Sequence, residues 1–346
     1  MSDSHSAYKG AGVDIDAKYA AVTGSREAIR STYTRGVVSD VGSFGGLFDL
    51  DAVGAQGDLL VASTDGVGTK VKVATMAGRV ASVGSDLVNH CVNDILVQGA
   101  RPLFFLDYIA VATMVPDQVR AVIEGLAAAC HENGCALLGG ETAEMPGTYV
   151  EGEMDVAGTI VGVVKREKLL EGKAIAVGDR IIAIASSGLH TNGYSLARKI
   201  VFEKLGLGVD DRPEALNGDS IADALLAVHR SYYPLVWPLL EKDLLHGMAH
   251  VTGGGLYDNL PRVLPAGTGV RIDPGIVPRP PIFDFLVEGG EVSLEEAYRV
   301  FNMGFGLVLF VGADQAALVQ DELAGAGEKS WDCGEVVEGN GEVELA

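Results

Sequence analysis

The chain has 346 residues, 47 of them acidic and 26 basic, which gives a formal net charge of −21. This excess of acidic residues argues against a nucleic-acid partner, because binding to a polyanion depends on Lys and Arg. A hydrophobic content of 48% is enough for a substantial core, and the length predicts two domains.

The start of the chain is polar and lacks the apolar stretch of a secretory signal peptide. No apolar run reaches the roughly 18 residues that a membrane-spanning helix requires. The four cysteines form no CxxC pair, and Cys91 and Cys135 lie within apolar runs, so we expect buried free thiols. Together these features predict a cytoplasmic protein.

Apolar runs predict four strands in the first half of the chain, where glycines cluster at the ends of such runs. They lie at 58–63, 103–110, 135–140 and 155–164. Helices are expected at 85–98 and at 117–132, where Val119, Val122 and Leu126 recur at helical spacing. The alternation of strands and helices indicates an α/β fold.

A charged segment at 165–180 is the best candidate for a domain boundary, and it predicts domains at 1–170 and 171–346. In the second domain we expect strands at 180–186 and 302–312, and helices near 193–204, 219–229, 232–241 and 314–327. A glycine cluster at 250–264 is expected to open a further helix.

Two segments, STDGVGTK at 63–70 and GGETAEMPG at 139–147, place a carboxylate beside glycines at the end of a predicted strand. Glycine lets a backbone approach a phosphate closely, and Mg²⁺ prefers oxygen ligands. Each segment alone fits an ordinary tight turn equally well. Together they predict an ATP site at Asp65, Gly66, Gly68, Thr69, Lys70, Asn93, Gly139, Gly140 and Glu141. Metal ligands are expected at Asp65, Asp94 and Glu141.

The predicted helix at 85–98 carries polar residues along one side. These residues are Asp86, Asn89, His90, Asn93 and Asp94, and no Lys or Glu accompanies them. Surface helices usually expose Lys and Glu, so this arc favours a wall that binds a metal or ligand. The alternative is a polar face that only makes local hydrogen bonds.

Two further polar turns, SSGLHTNG at 186–193 and HVTGGG at 250–255, precede predicted helices and suit anions such as a substrate phosphate. The substrate side is predicted at Ser187, Gly188, His190, Thr191, Asn192, His250, Thr252, Gly253 and Gly254. We assign catalysis to His190, which can move a proton near neutral pH, with Asp94 and Lys70. The alternative for the first turn is a helix cap with an exposed histidine. His5, His131, His229 and His246 are interpreted as structural or solvated.

Several strings together resemble the phosphoribosylformylglycinamidine cyclo-ligase family. Besides the segments above, they are YKGAGVDIDA, GSFGGLFDL, CVNDILVQGARPLFFLDY, DVAGTIVGVV, HVTGGGLYDNLPRVLP and FNMGFG. They run over nearly the whole chain in the family's order. Residues 205–220 and those after about 313 match only loosely, and Asn89 and His90 depart from the family's pattern.

The resemblance implies a two-domain ATP-binding fold that is shared with thiamine-monophosphate kinase and selenophosphate synthetase. It implies a homodimer in which the N-terminal sheets pair into a barrel. It also implies ATP and Mg²⁺ as cofactors, with a monovalent cation such as K⁺ as a further candidate. The stretch Lys9–Asp14 matches a family segment that folds over the nucleotide.

The activity that the resemblance implies is ATP-dependent closure of formylglycinamidine ribonucleotide to aminoimidazole ribonucleotide, with release of ADP and phosphate, in purine biosynthesis. A small-molecule kinase of the same superfamily is the first alternative, although the nearest Cys to the N-terminus is Cys91, too late for a selenide enzyme. A non-catalytic nucleotide-binding scaffold is the second, although it would have no need of the carboxylates, Lys70 and His190.

Overall fold

The structure of the chain is a computed structural model that describes residues 23–37 and 48–346. It divides into two compact units. The first takes its residues from Met1–Val92 and Pro102–Val163, and the second consists of Asn93–Arg101 and Val164–Ala346. The predicted nucleotide-covering stretch Lys9–Asp14 lies outside the described residues.

The first unit is built on a four-stranded sheet with the order β1-β4-β2-β3, in which β2 and β3 are parallel. Its strands are β1 (Leu59–Gly66), β2 (Arg101–Val111), β3 (Ala136–Glu144) and β4 (Met154–Val164). Its helices are α1 (Arg26–Ser31), α2 (Lys70–Met76), α3 (Ala81–Leu96) and α4 (Pro116–Glu132), with a 3₁₀ turn at Asp51–Val53. All four strands and both long helices predicted for this region are confirmed.

The polar arc of α3 is positioned by close packing of α3 against α4. A Cβ atom added to Gly84 would lie 2.5 Å from the backbone nitrogen of Leu126, so only glycine allows this approach. On α4, Val119, Val122 and Leu126 are buried, as their spacing predicted. The last four residues of α3, from Asn93 onward, belong to the second unit.

The second unit is built on a six-stranded sheet with the order β10-β7-β9-β5-β8-β6. Neighbouring strands are antiparallel except β10 and β7, which are parallel. The strands are β5 (Arg180–Ala185), β6 (Gly247–His250), β7 (Thr268–Ile272), β8 (Phe305–Val311), β9 (Ser330–Glu338) and β10 (Val343–Leu345).

β8 is fully buried, and side chains of two helices, at Tyr233–Glu241 and Ala316–Gly325, share one apolar core with it. The described residues of the second unit form seven α-helices. They are α5 (Tyr194–Arg198), α6 (Ile221–Leu225), α7 (Tyr233–Glu241), α8 (Gly255–Asn259), α9 (Pro281–Gly290), α10 (Leu294–Val300) and α11 (Ala316–Gly325). α5 continues as a π-helix at Lys199–Lys204, and 3₁₀ turns lie at Arg166–Lys168, Glu214–Leu216 and Leu260–Arg262. The helix predicted at 219–229 is wrong in length, because α6 stops at Leu225.

The expectations for membrane segments and cysteines can be compared with the described residues. Within them, no helix combines the length and the apolar character needed to cross a membrane. All four cysteines lie in this part of the chain, are buried and form no disulfide, as predicted.

Candidate active site

In the first unit, the end of β1 presents Asp65 next to a glycine turn. One carboxylate oxygen of Asp65 accepts a hydrogen bond from the backbone N–H of Gly66 at 2.7 Å. The other lies 2.9 Å from Nε2 of His90 on α3. The Asp65 side chain is 38% exposed, so it can still be reached by a ligand. Gly68 has a φ of +65°, a backbone conformation that favours glycine and turns the chain into α2.

Lys70 has a different environment from the one that the sequence suggested. Its Nζ lies 2.8 Å from Oδ1 of Asp86 on α3, and both side chains are completely buried. Burial lowers the pKa of Lys70, and the attraction of Asp86 opposes that shift. In this arrangement the ammonium group neutralises a buried carboxylate. The structure thus assigns Lys70 to a buried ion pair, while its role at the ATP phosphates stays a prediction from the sequence.

On the parallel pair β2 and β3, two carboxyl groups lie close together. Asp107 is aligned with Gly140, and Tyr108 with Glu141. Burial, reinforced by the charge of Glu141, raises the pKa of Asp107 to about 7. A Cβ atom on Gly140 would lie 2.6 Å from Cγ of Asp107, so glycine is needed beside this carboxyl group. Glu141 itself is exposed.

Polar side chains of the arc on α3 are bound to other protein groups. Asp86 binds Lys70, and Asn89 accepts a hydrogen bond from Asn133 at 2.9 Å. With the His90–Asp65 contact, each arc residue in the first unit has a protein partner. Its members there are buried to 4% exposure or less. The alternative reading, a face that makes hydrogen bonds within the protein, therefore describes most of the arc.

Asn93 was expected to contact the nucleotide, which stays a prediction, and its side chain is bound to other protein groups. Its Nδ2 donates to the backbone oxygen of Arg230 at 3.0 Å and lies 3.2 Å from Nε2 of His229. Its Oδ1 accepts from the backbone N–H of Tyr232 at 2.9 Å. The side chain is fully buried, and these contacts use both amide hydrogens. Asn93 thus makes hydrogen bonds within the buried interior of the second unit.

The turn after β5 holds His190 in an unusual backbone conformation. His190 has a φ of +60°, in the left-handed region that costs energy for residues other than glycine. Its Nε2 lies 3.3 Å from the backbone nitrogen of Ser187, which donates to it. His190 is 1% exposed, so the predicted exposed-cap alternative is wrong.

Asn302, just before β8, holds this turn in place through hydrogen bonds. Its Oδ1 accepts from the hydroxyl of Ser186 and from the backbone N–H of Gly304, each at 2.9 Å. Its Nδ2 donates to the backbone oxygen of Gly188 at 2.8 Å. These contacts hold the turn from two sides, so the strained conformation of His190 is supported by its surroundings.

Three buried histidines of the second unit meet beyond this turn. The ring of His190 stacks on that of His229, with centroids 3.9 Å apart and planes inclined by 15°. Nε2 of His229 lies 3.1 Å from Nε2 of His250. Nδ1 of His250 lies 2.8 Å from Oδ1 of Asp94, and Nδ1 of His229 lies 3.3 Å from Oγ1 of Thr191.

The turn after β6 is organised by Asn259 on α8. Asn259 donates to the backbone oxygens of Gly253 and Gly255, and Thr252 donates to its Oδ1 at 3.2 Å. Gly254 has a φ of +93°, which favours glycine. α5 and α8 each have five α-helical residues, and α5 continues as the π-helix at Lys199–Lys204 and α8 as the 3₁₀ turn at Leu260–Arg262.

Asn192 and Gly253 bring the two predicted substrate turns together. A Cβ atom on Gly253 would lie 3.2 Å from Oδ1 of Asn192. Within the described part of the chain, Nδ2 of Asn192 is buried and has no hydrogen-bond partner. Such an amide group favours a nearby acceptor that the protein itself does not supply.

Three residues with notable contacts or pKa shifts, one in the first unit and two in the second, were not recognised in the sequence. His229 was interpreted as structural or solvated, yet it contacts His190, Thr191 and His250. Nothing in its local sequence distinguishes it. Asp107 had a usable signal, because it interrupts an apolar strand with a carboxyl group. Asn302 lies in the FNMGFG string, but its contacts with the turn after β5 are long-range.

The chain matches two family models over most of its length. Residues 46–164 match the AIR synthase related protein, N-terminal domain, and residues 176–345 match the corresponding C-terminal domain. It is 50% identical to a phosphoribosylformylglycinamidine cyclo-ligase of Geobacillus kaustophilus, over 97% of this chain and 96% of that protein. It is also 50% identical to the protein of the same name from Geobacter sulfurreducens, over 95% of this chain and 94% of that protein.

Solved structures with the same fold have much lower sequence identity. The thiamine-monophosphate kinase of Stenotrophomonas maltophilia superposes with a TM-score of 0.71 at 18% identity, over 92% of this chain and 94% of that one. HypE of Escherichia coli gives a TM-score of 0.65 at 20% identity, over 92% and 91% of the two chains. These likenesses confirm the mixed α/β superfamily fold, and the sequence matches show that the chain belongs to the phosphoribosylformylglycinamidine cyclo-ligase family.

Proposed function

We propose that the chain closes the imidazole ring of aminoimidazole ribonucleotide from formylglycinamidine ribonucleotide, using ATP and releasing ADP and phosphate. The observation that carries this proposal is its 50% identity to cyclo-ligases over nearly the whole length of both chains. The segments that carry the predicted site residues lie within the matched length. Neither a sister kinase nor a non-catalytic scaffold has comparable support.

The chemistry needs ATP because an amide oxygen is a poor leaving group. We infer that the formyl oxygen attacks the γ-phosphorus of ATP, and the bond from that phosphorus to ADP breaks. The amidine nitrogen then attacks the activated formyl carbon and loses a proton, and the carbon–oxygen bond breaks to release phosphate. Phosphoryl transfer of this kind depends mainly on positioning and on charge neutralisation.

The carboxyl groups of the first unit fit a hard cation such as Mg²⁺. Asp65 and Glu141 are accessible carboxylates, and Glu141 lies near Asp107, whose pKa is raised first by burial and then by the charge of Glu141. Asp65 and Glu141 would hold the ion, which would neutralise the phosphate charge. Asp94, 28% exposed and bound to His250 in the second unit, stays a predicted third ligand. A K⁺ requirement is a further prediction.

On the substrate side, we assign the turns after β5 and β6 to formylglycinamidine ribonucleotide. Asn192 supports this assignment, because its buried Nδ2 offers a donor to an incoming acceptor. Ser187, Gly188, Thr191, Thr252, Gly253 and Gly254 complete the proposed set. We assign proton transfer during ring closure to His190 and substrate contact to His250.

A homodimer is part of the proposal. The sheet of the first unit exposes large apolar side chains on two strands that β4 separates, namely Leu60 on β1 and Leu106 and Tyr108 on β2. A second copy that covers this face in a shared barrel would remove them from water. We also place the protein in the cytoplasm, where buried thiols stay reduced.

The test is a turnover assay with ATP, Mg²⁺ and formylglycinamidine ribonucleotide that follows phosphate and the aromatic amine together. The proposal predicts equal amounts of both products. ATP hydrolysis without the amine would instead favour a kinase, and folded protein without either product would favour a scaffold. His190→Asn is expected to lower turnover more than ATP binding, and equal losses would exclude the proton-transfer role.

A further inference from the structure

His229 lies at the centre of the proposed substrate side although it carries none of the predicted signals. Its Nδ1 faces Thr191, its Nε2 faces His250 and its ring face covers His190. All these residues belong to the second unit. One buried imidazole thus touches three residues that the proposed function assigns to the substrate.

The protons on this ring can be deduced from Asn93. Two backbone groups of opposite polarity, the oxygen of Arg230 and the N–H of Tyr232, fix which end of the Asn93 amide is the donor. The amide nitrogen is therefore the end that lies 3.2 Å from Nε2 of His229. A donor at this place requires a lone pair on Nε2, so the proton of a neutral His229 must be on Nδ1.

This tautomer gives every contact of His229 a defined direction. Nδ1–H donates to the hydroxyl oxygen of Thr191, at 3.3 Å. The lone pair of Nε2 accepts from Asn93 and from Nε2–H of His250, at 3.2 and 3.1 Å. Nδ1 of His250 also carries a hydrogen, because it faces the Asp94 carboxylate at 2.8 Å, so His250 in this arrangement is the imidazolium ion paired with Asp94. The opposite tautomer would set two hydrogens against each other between Asn93 and His229, in a fully buried site where no water replaces the lost hydrogen bond.

We propose that Asn93 locks His229 in the Nδ1–H tautomer, and that His229 thereby acts as the positioning residue for His190, Thr191 and His250. The inference rests on the proposed function, because it takes the substrate to lie at those residues. His229 supplies a flat face that holds the strained His190 ring and an acceptor that fixes the His250 ring. Neither role brings His229 itself to the reacting atoms.

A metal ion is the main rival explanation for three clustered histidines. Ligand nitrogens of His190, His229 and His250 all lie within 4.8 Å of one another. However, imidazole lone pairs lie in the ring plane, and the planes of His190 and His229 are stacked with only 15° between them. Lone pairs that lie in two stacked, nearly parallel planes do not meet at one point, so the geometry favours the hydrogen-bonded network over a shared ion.

Two variants separate the contacts of His229. His229→Gln places an amide oxygen near the position of Nε2 and keeps an acceptor for Asn93 and His250. His229→Phe keeps a ring face for His190 and removes both nitrogens. We expect His229→Phe to lower kcat roughly 10- to 100-fold through misplacement of His250, with little change in the KM for ATP. His229→Gln is expected to recover most of that loss.

A matched control is His246→Gln, because His246 is another histidine of the second unit. It is partly buried, and its Nδ1 lies 2.7 Å from the carboxylate of Asp179. It lies outside the proposed substrate turns, so turnover should be unchanged. Wild-type kcat in His229→Phe would overturn the positioning role. So would equal loss in His229→Phe and His229→Gln with both proteins folded.

A nitrogen NMR spectrum of histidine-labelled protein tests the tautomer independently of activity. The signals that disappear in His229→Gln identify His229, and we expect a protonated Nδ1 and an unprotonated Nε2. A protonated Nε2, or stoichiometric zinc in protein purified without an affinity tag, would overturn the inference. If the wild type made no aromatic amine, the proposed function would fail, while this spectrum would still decide the tautomer.

Discussion

The buried ion pair between Lys70 and Asp86 leads to a prediction about stability. Both side chains are completely excluded from solvent, and Nζ lies 2.8 Å from Oδ1. Lys70→Met keeps a side chain of similar length but removes the ammonium group that pairs with the Asp86 carboxylate. Removing one partner of a buried pair costs about 3–5 kcal/mol, which is a large part of the roughly 5–15 kcal/mol that stabilises a typical domain.

Urea denaturation followed by circular dichroism measures this loss in the free energy of unfolding. Lys72→Met is the matched control, because Lys72 lies two residues away, is 42% exposed and pairs with Glu153. An exposed pair contributes about 1 kcal/mol or less, so this control should unfold almost like the wild type. Replacing both partners, in Lys70→Met/Asp86→Leu, should recover much of the lost stability.

One combination of results would contradict the assignment of Lys70 to a structural ion pair. If Lys70→Met kept wild-type stability but raised the KM for ATP by an order of magnitude, the ammonium group would be a phosphate ligand. The structural ion pair would then be the wrong account of Lys70, and the expectation from the sequence would stand.

Three further predictions concern the carboxyl groups and the turn after β5. Because the pKa of Asp107 is raised in the folded state, the folded protein holds the Asp107 proton more tightly than the unfolded chain does. The resulting stabilisation is complete below about pH 4 and is lost as the pH rises through about 7. Asp107→Asn, unfolded in urea without Mg²⁺, should therefore gain stability over the wild type with rising pH, by up to about 4 kcal/mol at pH 8; a pH-independent difference would contradict the shift. Asn302→Ala should cost roughly 1–3 kcal/mol and lower kcat, because the turn that holds His190 loses two hydrogen bonds and the loop before β8 loses one; unchanged steady-state kinetics would exclude its role. Asp94→Asn should raise the Mg²⁺ concentration needed for half-maximal turnover, and wild-type metal dependence would remove Asp94 from the ligand set.

The strands and helices of the first unit could be predicted because their apolar runs are long. β2 and β4 each have 11 residues, and α4 shows a clear helical period. In the second unit β6 has only four residues and β10 only three, too short for a periodic signal. The order of strands in either sheet depends on long-range pairing, which local patterns do not contain.

For the site, the sequence identified residue types better than partners. Lys70 and Asn93 have the right chemistry for a nucleotide, but each is bound to a protein group that the local pattern does not reveal. Tyr232, whose N–H fixes Asn93, is 139 residues away in the chain. His229 is 136 residues from Asn93 and 21 from His250, so the cluster exists only in the folded protein.

The central claim is that ATP activates the formyl oxygen before the ring closes. The most direct test is a single turnover with a substrate whose formyl oxygen carries a heavy-oxygen label. Mass spectrometry of the products then locates the label. The account predicts one labelled oxygen in each released phosphate and an unlabelled amine. Label released to water, with unlabelled phosphate, would contradict activation by phosphorylation of that oxygen.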